Sequence, residues 1–264
     1  MGARVDGEKW KELCNAVTEQ MEAFTKPFVT PLIHELDGSE ALIGSGAYID
    51  FSDGKVGGAT LLTCEHVARH QPQQHRPDGA KKLILVSGEV FSDTDCDAST
   101  TKISENTWQA QVLQSQRVVM SKFSTTHAPA KAELLFFHGL AGENAYVGFG
   151  GLDDIMTGYC SQEKADSGDD EIFEILWQPL EAQVTEGTSV DEKERLRYDD
   201  PKGFSGSLVW NTRFVELGAD LSRWRPTDAV VTGLLRRWDT STKTLLVWRV
   251  EHVLAWLASR PGWA

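Results

Sequence analysis

Clustered positive charge is what this sequence most lacks. Lysine and arginine number 26 against 39 aspartate and glutamate residues, a formal net charge of -13, and no compact basic run occurs. A chain without a basic stripe has nothing to neutralise a phosphate backbone, so nucleic-acid binding is excluded as the leading function. Long apolar runs are missing too: no stretch approaches the ~20 residues that span a bilayer. The opening "MGARVDGEKWKELCNAVTEQ" is polar where a secretory signal needs an apolar segment. The expectation is a cytoplasmic protein that meets no membrane.

Cysteine is sparse as well. Cys14, Cys64, Cys96 and Cys160 lack the close-paired spacing of zinc or redox motifs. Without a secretion signal, four reduced thiols are expected, with no metal and no cofactor. Within 264 residues, a 41% hydrophobic and 25% charged composition is that of a folded globular chain, long enough for one large domain or two packed sub-domains of roughly 100 to 130 residues.

Helical periodicity is confined to the two ends. Residues 8–24 place Trp10, Leu13, Cys14, Val17, Met21 and Phe24 at three- and four-residue steps, a helix stopped by Pro27. "EHVLAWLASR" reads as a closing helix with Val253, Leu254, Trp256 and Leu257 on one face. Between them lie short β-type runs broken by Gly, Asp, Asn and Pro: "ALIGSGAYIDF", "ATLLTCEHVA", "KKLILVSGEVF", "ELLFFHGL", "NAYVGFGGL", "EIFEILWQP", "SGSLVWN", "DAVVTGLLRRW" and "TKTLLVWRV". With no helical pattern between them, they predict an all-β barrel or sandwich. The polar stretches 161–171 and 185–200 read as long exposed loops.

"DDPKGFSGSLVW" is the stretch that invites chemistry. A serine between glycines at a tight turn lets a carbonyl approach its hydroxyl and frees neighbouring backbone N–H groups to hold an oxyanion. Ordinary β-turns carry the same residues, so Ser205 needs a base. His66, at the end of the apolar "LLTCEHVA", is that candidate, because an imidazole can take a hydroxyl proton near neutral pH. A third group must orient the ring. Asp97 in "DTDCDASTTKI" is the leading choice; Asp93 and Asp95 lie close by, and Glu133 opens the more apolar strand "AELLFF". His34, His70, His75, His127, His138 and His252 have no visible acidic partner and read as surface or core residues.

The chain order His, Asp, Ser resembles that of trypsin/chymotrypsin-like serine peptidases. "GSGAYI" followed by "LLTCEHVA" is similar to that family's Gly-x-Gly strand and "LLTAAHC". "GFSGSLV" is similar to "GDSGGPV", and "AVVTGLLRRW…LLVWRVEHVLAWL" to the family's C-terminal strands and helix. The resemblance covers most of residues 40–258. It implies two packed six-stranded antiparallel β-barrels: an N-terminal helical segment at 1–26, a first barrel at 27–140 with His66 and Asp97, and a second at 141–264 with Ser205. It further implies Ser205 as nucleophile, His66 as general base and acid, and the N–H groups of Gly203 and Ser205 as the oxyanion hole. The implied partner is a protein or peptide substrate; an esterase would use the same acyl chemistry.

The chain also departs from the family. Phe204 stands before the nucleophile where secreted members carry an aspartate that pairs with a newly cut N-terminus, so activation by clipping is not expected. Control then falls to a narrow substrate or a regulatory protein partner, and a catalytically silent binding module on the same fold is the alternative. "DASTTKI" replaces most apolar positions of the family's "DIALLKL" strand. Asp199, six residues before Ser205, falls where trypsin attracts basic side chains, and Thr232 resembles a hydroxyl residue supporting the triad acid; both are placed with the substrate pocket.

Overall fold

The computed structural model describes residues 7–35, 41–51, 58–71, 73–111, 114–148, 151–166, 169–178, 191, 194 and 200–260. Two antiparallel sheets dominate it. Helix α1 (Gly7–Thr25) leads into β1 (Val29–Glu35), β2 (Ala41–Asp50) and β3 (Thr60–Thr63), followed by the one-turn helix α2 (Glu65–Ala68). Then come β4 (Gln74–His75), β5 (Ile84–Leu85), β6 (Val90–Asp93), β7 (Ala98–Lys102), helix α3 (Glu105–Gln111) and β8 (Val118–Val119). The second half holds β9 (Leu135–Gly148), β10 (Gly151–Ser161), β11 (Ile172–Leu176), β12 (Leu208–Asn211), β13 (Val230–Asp239), β14 (Thr244–Arg249) and the closing helix α4 (Val250–Ala258).

The first sheet runs β5-β4-β1-β2-β3-β7-β6, with β8 pairing in parallel on β2. The second runs β10-β9-β12-β13-β14-β11. Its two edges meet: Glu163 bridges Ile175, Lys164 N–H donates to Glu174 O and Leu176 N–H to Gln162 O. Joining the edges in this way turns a sheet into a barrel and removes exposed ladder groups. Strand β9 belongs wholly to this sheet, so the division expected at residue 140 cuts through it.

Elements beyond the expected runs are β1, which carries Pro31, the two-residue strands β4 and β8, the polar β7 and helix α3, while α2 ends the run "ATLLTCEHVA" as a helical turn. "ASTTK" is a strand because its Ala, Ser and Thr residues are buried small groups, with Ser99 Oγ donating to Phe91 O across the β6–β7 pair. Both terminal helices pack inward. Val17 and Met21 of α1 are buried in a core shared with Ala47, Leu62, Phe136 and Trp210, and Phe24 meets Trp210 edge-on at 5.7 Å. From α4, Trp256 Nε1 donates to Asp93 Oδ2 at 3.2 Å, tying the chain end to the first sheet. No helix among the described residues is long and apolar enough to cross a membrane.

Candidate active site

His66 is placed by the end of β3. Cys64 is still extended, and Ala68 N–H closes onto Cys64 O, so His66 sits in the single turn of α2 where the strand stops. Asp97 stands immediately before β7, at the end of a tight turn in which the Asp93 carboxylate accepts the Asp95 and Cys96 N–H groups. Its backbone is left-handed, with φ +50°, uncommon for a residue with a side chain. In that conformation Asp97 Oδ1 accepts both the His66 N–H at 3.1 Å and ring Nδ1 at 2.8 Å, with Oδ2 3.0 Å from the same nitrogen. Burial pushes the Asp97 carboxyl up, but the ring bond, the charge and backbone N–H of His66, and Arg236 together hold it below the usual carboxylate range. Ring orientation is thus fixed by an ionised carboxylate bonded to Nδ1, which leaves Nε2 as the proton acceptor.

The other acids serve elsewhere. Asp93 holds the turn and Trp256; Asp95 is exposed; buried Glu133 accepts the N–H groups of Leu134, Val215 and Glu216 and the Thr212 hydroxyl, a structural role.

Ser205 lies in a turn shaped by glycines at both sides. Phe204 N–H reaches Pro201 O at 3.3 Å with Gly203 at φ +103°, the type II pattern that requires a positive φ at its third residue. Gly206, at φ +93°, has room for no side chain: a Cβ there would collide with the Ser45 carbonyl and the Thr63 hydroxyl. Among the described residues neither the Gly203 nor the Ser205 N–H is engaged. Ser45 clamps the turn, its N–H donating to Ser205 O at 2.9 Å and its hydroxyl to Gly203 O at 2.7 Å.

One carbonyl joins the two halves. Leu235 O accepts the Gly206 N–H at 2.9 Å and the Cys64 thiol at 3.2 Å, so the residue after Ser205 and the residue two before His66 share an acceptor. Burial pushes the Cys64 thiol up, helped by the Asp97 charge, and keeps it a donor. The sulfur, His66 and Asp97 offer atoms within 4.8 Å of one another, a metal-like spacing. The thiol is spent on Leu235 O and the carboxylate on the His66 ring, which accounts for the cluster by hydrogen bonds alone.

Phe204 is 1% exposed, and its ring meets Phe137 edge-on at 5.1 Å and Trp177 at 5.9 Å. The residue that precedes the serine is therefore held by an aromatic box in the second barrel.

Thr232 does not support Asp97: its hydroxyl pairs with His127 Nδ1 at 2.7 Å, and His127 finds an acidic partner, Glu163, at 3.3 Å. Asp97 instead has Arg236 and Arg237 beside it, with Nε and Nη2 at 3.6 and 3.7 Å from Oδ2. The register explains the error, because the site lies at the Leu235 end of β13, three residues beyond Thr232. Asp199 falls outside the described residues. Ser45, Cys64 and the two arginines were not anticipated; only the Gly-Ser-Gly of β2 hinted that a backbone approaches there.

No family model matches the chain, and no curated protein matches it by sequence. Solved structures do. The Rv3671c protease of M. tuberculosis in its active form aligns over 92% of this chain and 85% of its own at 16% identity, TM-score 0.52. A serine endoprotease from Yersinia pestis aligns over 91% of this chain and 64% of its own at 12% identity, TM-score 0.51. HL collagenase aligns over 88% and 92% at 12% identity, TM-score 0.50.

The fold is that of the trypsin-like serine proteases. At these identities the likeness is one of architecture, and it agrees with the two antiparallel sheets and the helices at both ends. Within the trypsin-like fold, the aromatic setting of Phe204 and the arginine pair at Asp97 are features of this chain's own residues.

Proposed function

We propose that the chain is a serine endopeptidase in which Ser205 attacks a peptide carbonyl. His66 Nε2 takes the hydroxyl proton as the Oγ–C bond forms, and the Gly203 and Ser205 N–H groups receive the resulting oxyanion. His66 then gives the proton to the departing amine as the C–N bond breaks, leaving an acyl-enzyme. Water, deprotonated by the same ring, adds to the acyl carbon; the C–Oγ bond then breaks, the ring returns its proton to Ser205, and the acid leaves. Asp97 keeps the ring in the required tautomer and offsets the charge it gains.

The observation that carries this reading is the shared Leu235 carbonyl, which pins the Ser205 turn and the His66 strand end to one point. Phe204 supports a donor turn that needs no chain cleavage to form. Control falls to substrate choice or a protein partner, and the free thiols of Cys14, Cys64, Cys96 and Cys160 support a reducing, cytoplasmic setting.

The first test treats the wild-type chain and Ser205→Ala with a fluorophosphonate and reads intact mass. The expected outcome is one adduct on wild type and none on the variant. If neither chain gains mass, the endopeptidase reading fails and the silent binding module replaces it.

A further inference from the structure

Strand β13 carries a β-bulge at the site. Leu235 pairs with Val247 and Arg237 with Leu246, so Arg236 is an extra residue without an opposite number. Consecutive residues of a regular strand point to opposite faces. The bulge cancels that alternation, and both guanidiniums reach the same Asp97 oxygen, Oδ2. Oδ1 is meanwhile occupied by the His66 N–H and ring.

Two cations on one carboxylate leave a positive charge unmatched. The neighbouring acids do not supply the balance: Asp93 pairs with Arg260, Glu65 with Arg69, and Asp95 makes no ion pair with either arginine among the described residues. The two side chains also differ in access. Arg236 is 14% exposed and its Nε makes no hydrogen bond among the described residues, whereas Arg237 is 59% exposed and approaches Asp97 with Nη2 at 3.7 Å. The Arg237 side chain is therefore largely open to solvent, one carboxylate away from the His66 ring.

We propose that Arg237, aimed by the Arg236 bulge, selects peptide substrates carrying an aspartate or glutamate side chain within a few residues of the scissile bond. The inference rests on the endopeptidase reading. A guanidinium accepts a carboxylate in a two-point fork, which gives such a substrate a position as well as an attraction. It also sets the substrate class against the overall charge of -13: the protein repels acidic peptides in general and accepts them at this one place.

The test incubates the wild-type chain with a peptide mixture from a digested denatured protein and reads cut sites by mass spectrometry. Matched Glu, Gln and Lys peptides are then made at the enriched position. Wild type is expected to favour Glu over Gln by about fivefold in kcat/KM at low salt, and the ratio is expected to shrink towards one in molar salt. Arg237→Gln should collapse the ratio and Arg237→Glu should turn the preference to Lys. No acidic enrichment, or a ratio unchanged in Arg237→Gln, overturns the inference. Loss of Ser205-dependent labelling would sink the endopeptidase reading alone. In that event, fluorescence anisotropy of two unstructured peptides that differ only in carrying Glu or Gln, on the intact chain and on Arg237→Gln, decides this one, equal binding of the two by wild type overturning it.

Discussion

At the scale of single residues, the turn before Ser205 depends on an apolar anchor. Burying an aromatic side chain as Phe204 is buried stabilises by about 1.5–3 kcal/mol, and here that energy holds the N–H pair on either side of it. Phe204→Ala should cost about 3–5 kcal/mol of stability and, in the chain that remains folded, lower kcat on a peptide substrate by about 100-fold or more, the magnitude of a lost oxyanion donor. Phe173→Ala empties a fully buried site in the same aromatic cluster, away from the turn, and serves as control. Urea unfolding with parallel kinetics separates the two; equal kinetic losses in both variants would refute the anchoring role. His66 and Ser205 were legible as candidates because each sits in a distinctive run. Asp97 was legible only by order and distance, since its left-handed φ leaves no mark in the letters around it.

At the scale of elements, one hydroxyl ties three of them. Ser45 on β2 donates from Oγ to Gly203 O in the Ser205 turn and accepts the Leu140 N–H of β9 at 2.9 Å, so the first sheet, the second sheet and the turn meet on a fully buried atom. Ser45→Ala strands two buried backbone groups, each costing about 1–3 kcal/mol, for an expected loss of about 3 kcal/mol by urea unfolding. A loss below about 1 kcal/mol would mean that the turn has other support. This is also where sequence reading ran out. Apolar runs announced β2, β3 and β11 to β14, but β7 is built from Ser and Thr whose burial depends on partners far away in the chain. The β13 bulge is equally silent: "LLRRWD" reads as a regular strand, and only pairing with β14 shows that Arg236 is the inserted residue. Thr232 was misassigned for the same reason, its register being set by neighbours that the sequence does not name.

At the scale of the whole molecule, the joint between α1 and the two sheets is expected to weaken in acid. His138 on β9 is buried, its Nδ1 2.9 Å from the Thr25 hydroxyl at the end of α1, beside a small cavity lined by Phe28, Ala47, Leu208 and Trp210. Among the described residues its Nε2 has no hydrogen-bond partner with which to share a second proton's charge. Burial, with a smaller contribution from the Lys26 charge, lowers its pKa to about 3. An unfolded histidine titrates near ~6.5, so between that value and about 3 the unfolded chain binds the proton that the folded chain refuses. Stability from this group is complete above the unfolded value and is lost progressively as pH falls through the window, by an amount on the order of a few kcal/mol at its lower end. Asp97, its carboxyl held below the usual range, adds a loss of the same sign at more acidic pH. Replacing the imidazole by a group that cannot charge, as in His138→Gln, should lower stability at pH 7 yet flatten its fall between pH 6.5 and pH 4. Thermal melts across that range decide the matter: a variant whose melting temperature declines with acid as steeply as that of wild type would show that the proton enters elsewhere. Because Thr25 ends α1 and Ala47 lies in the first sheet, the charge that forces its way onto His138 opens the shared core, and the N-terminal helix is expected to be the first element released.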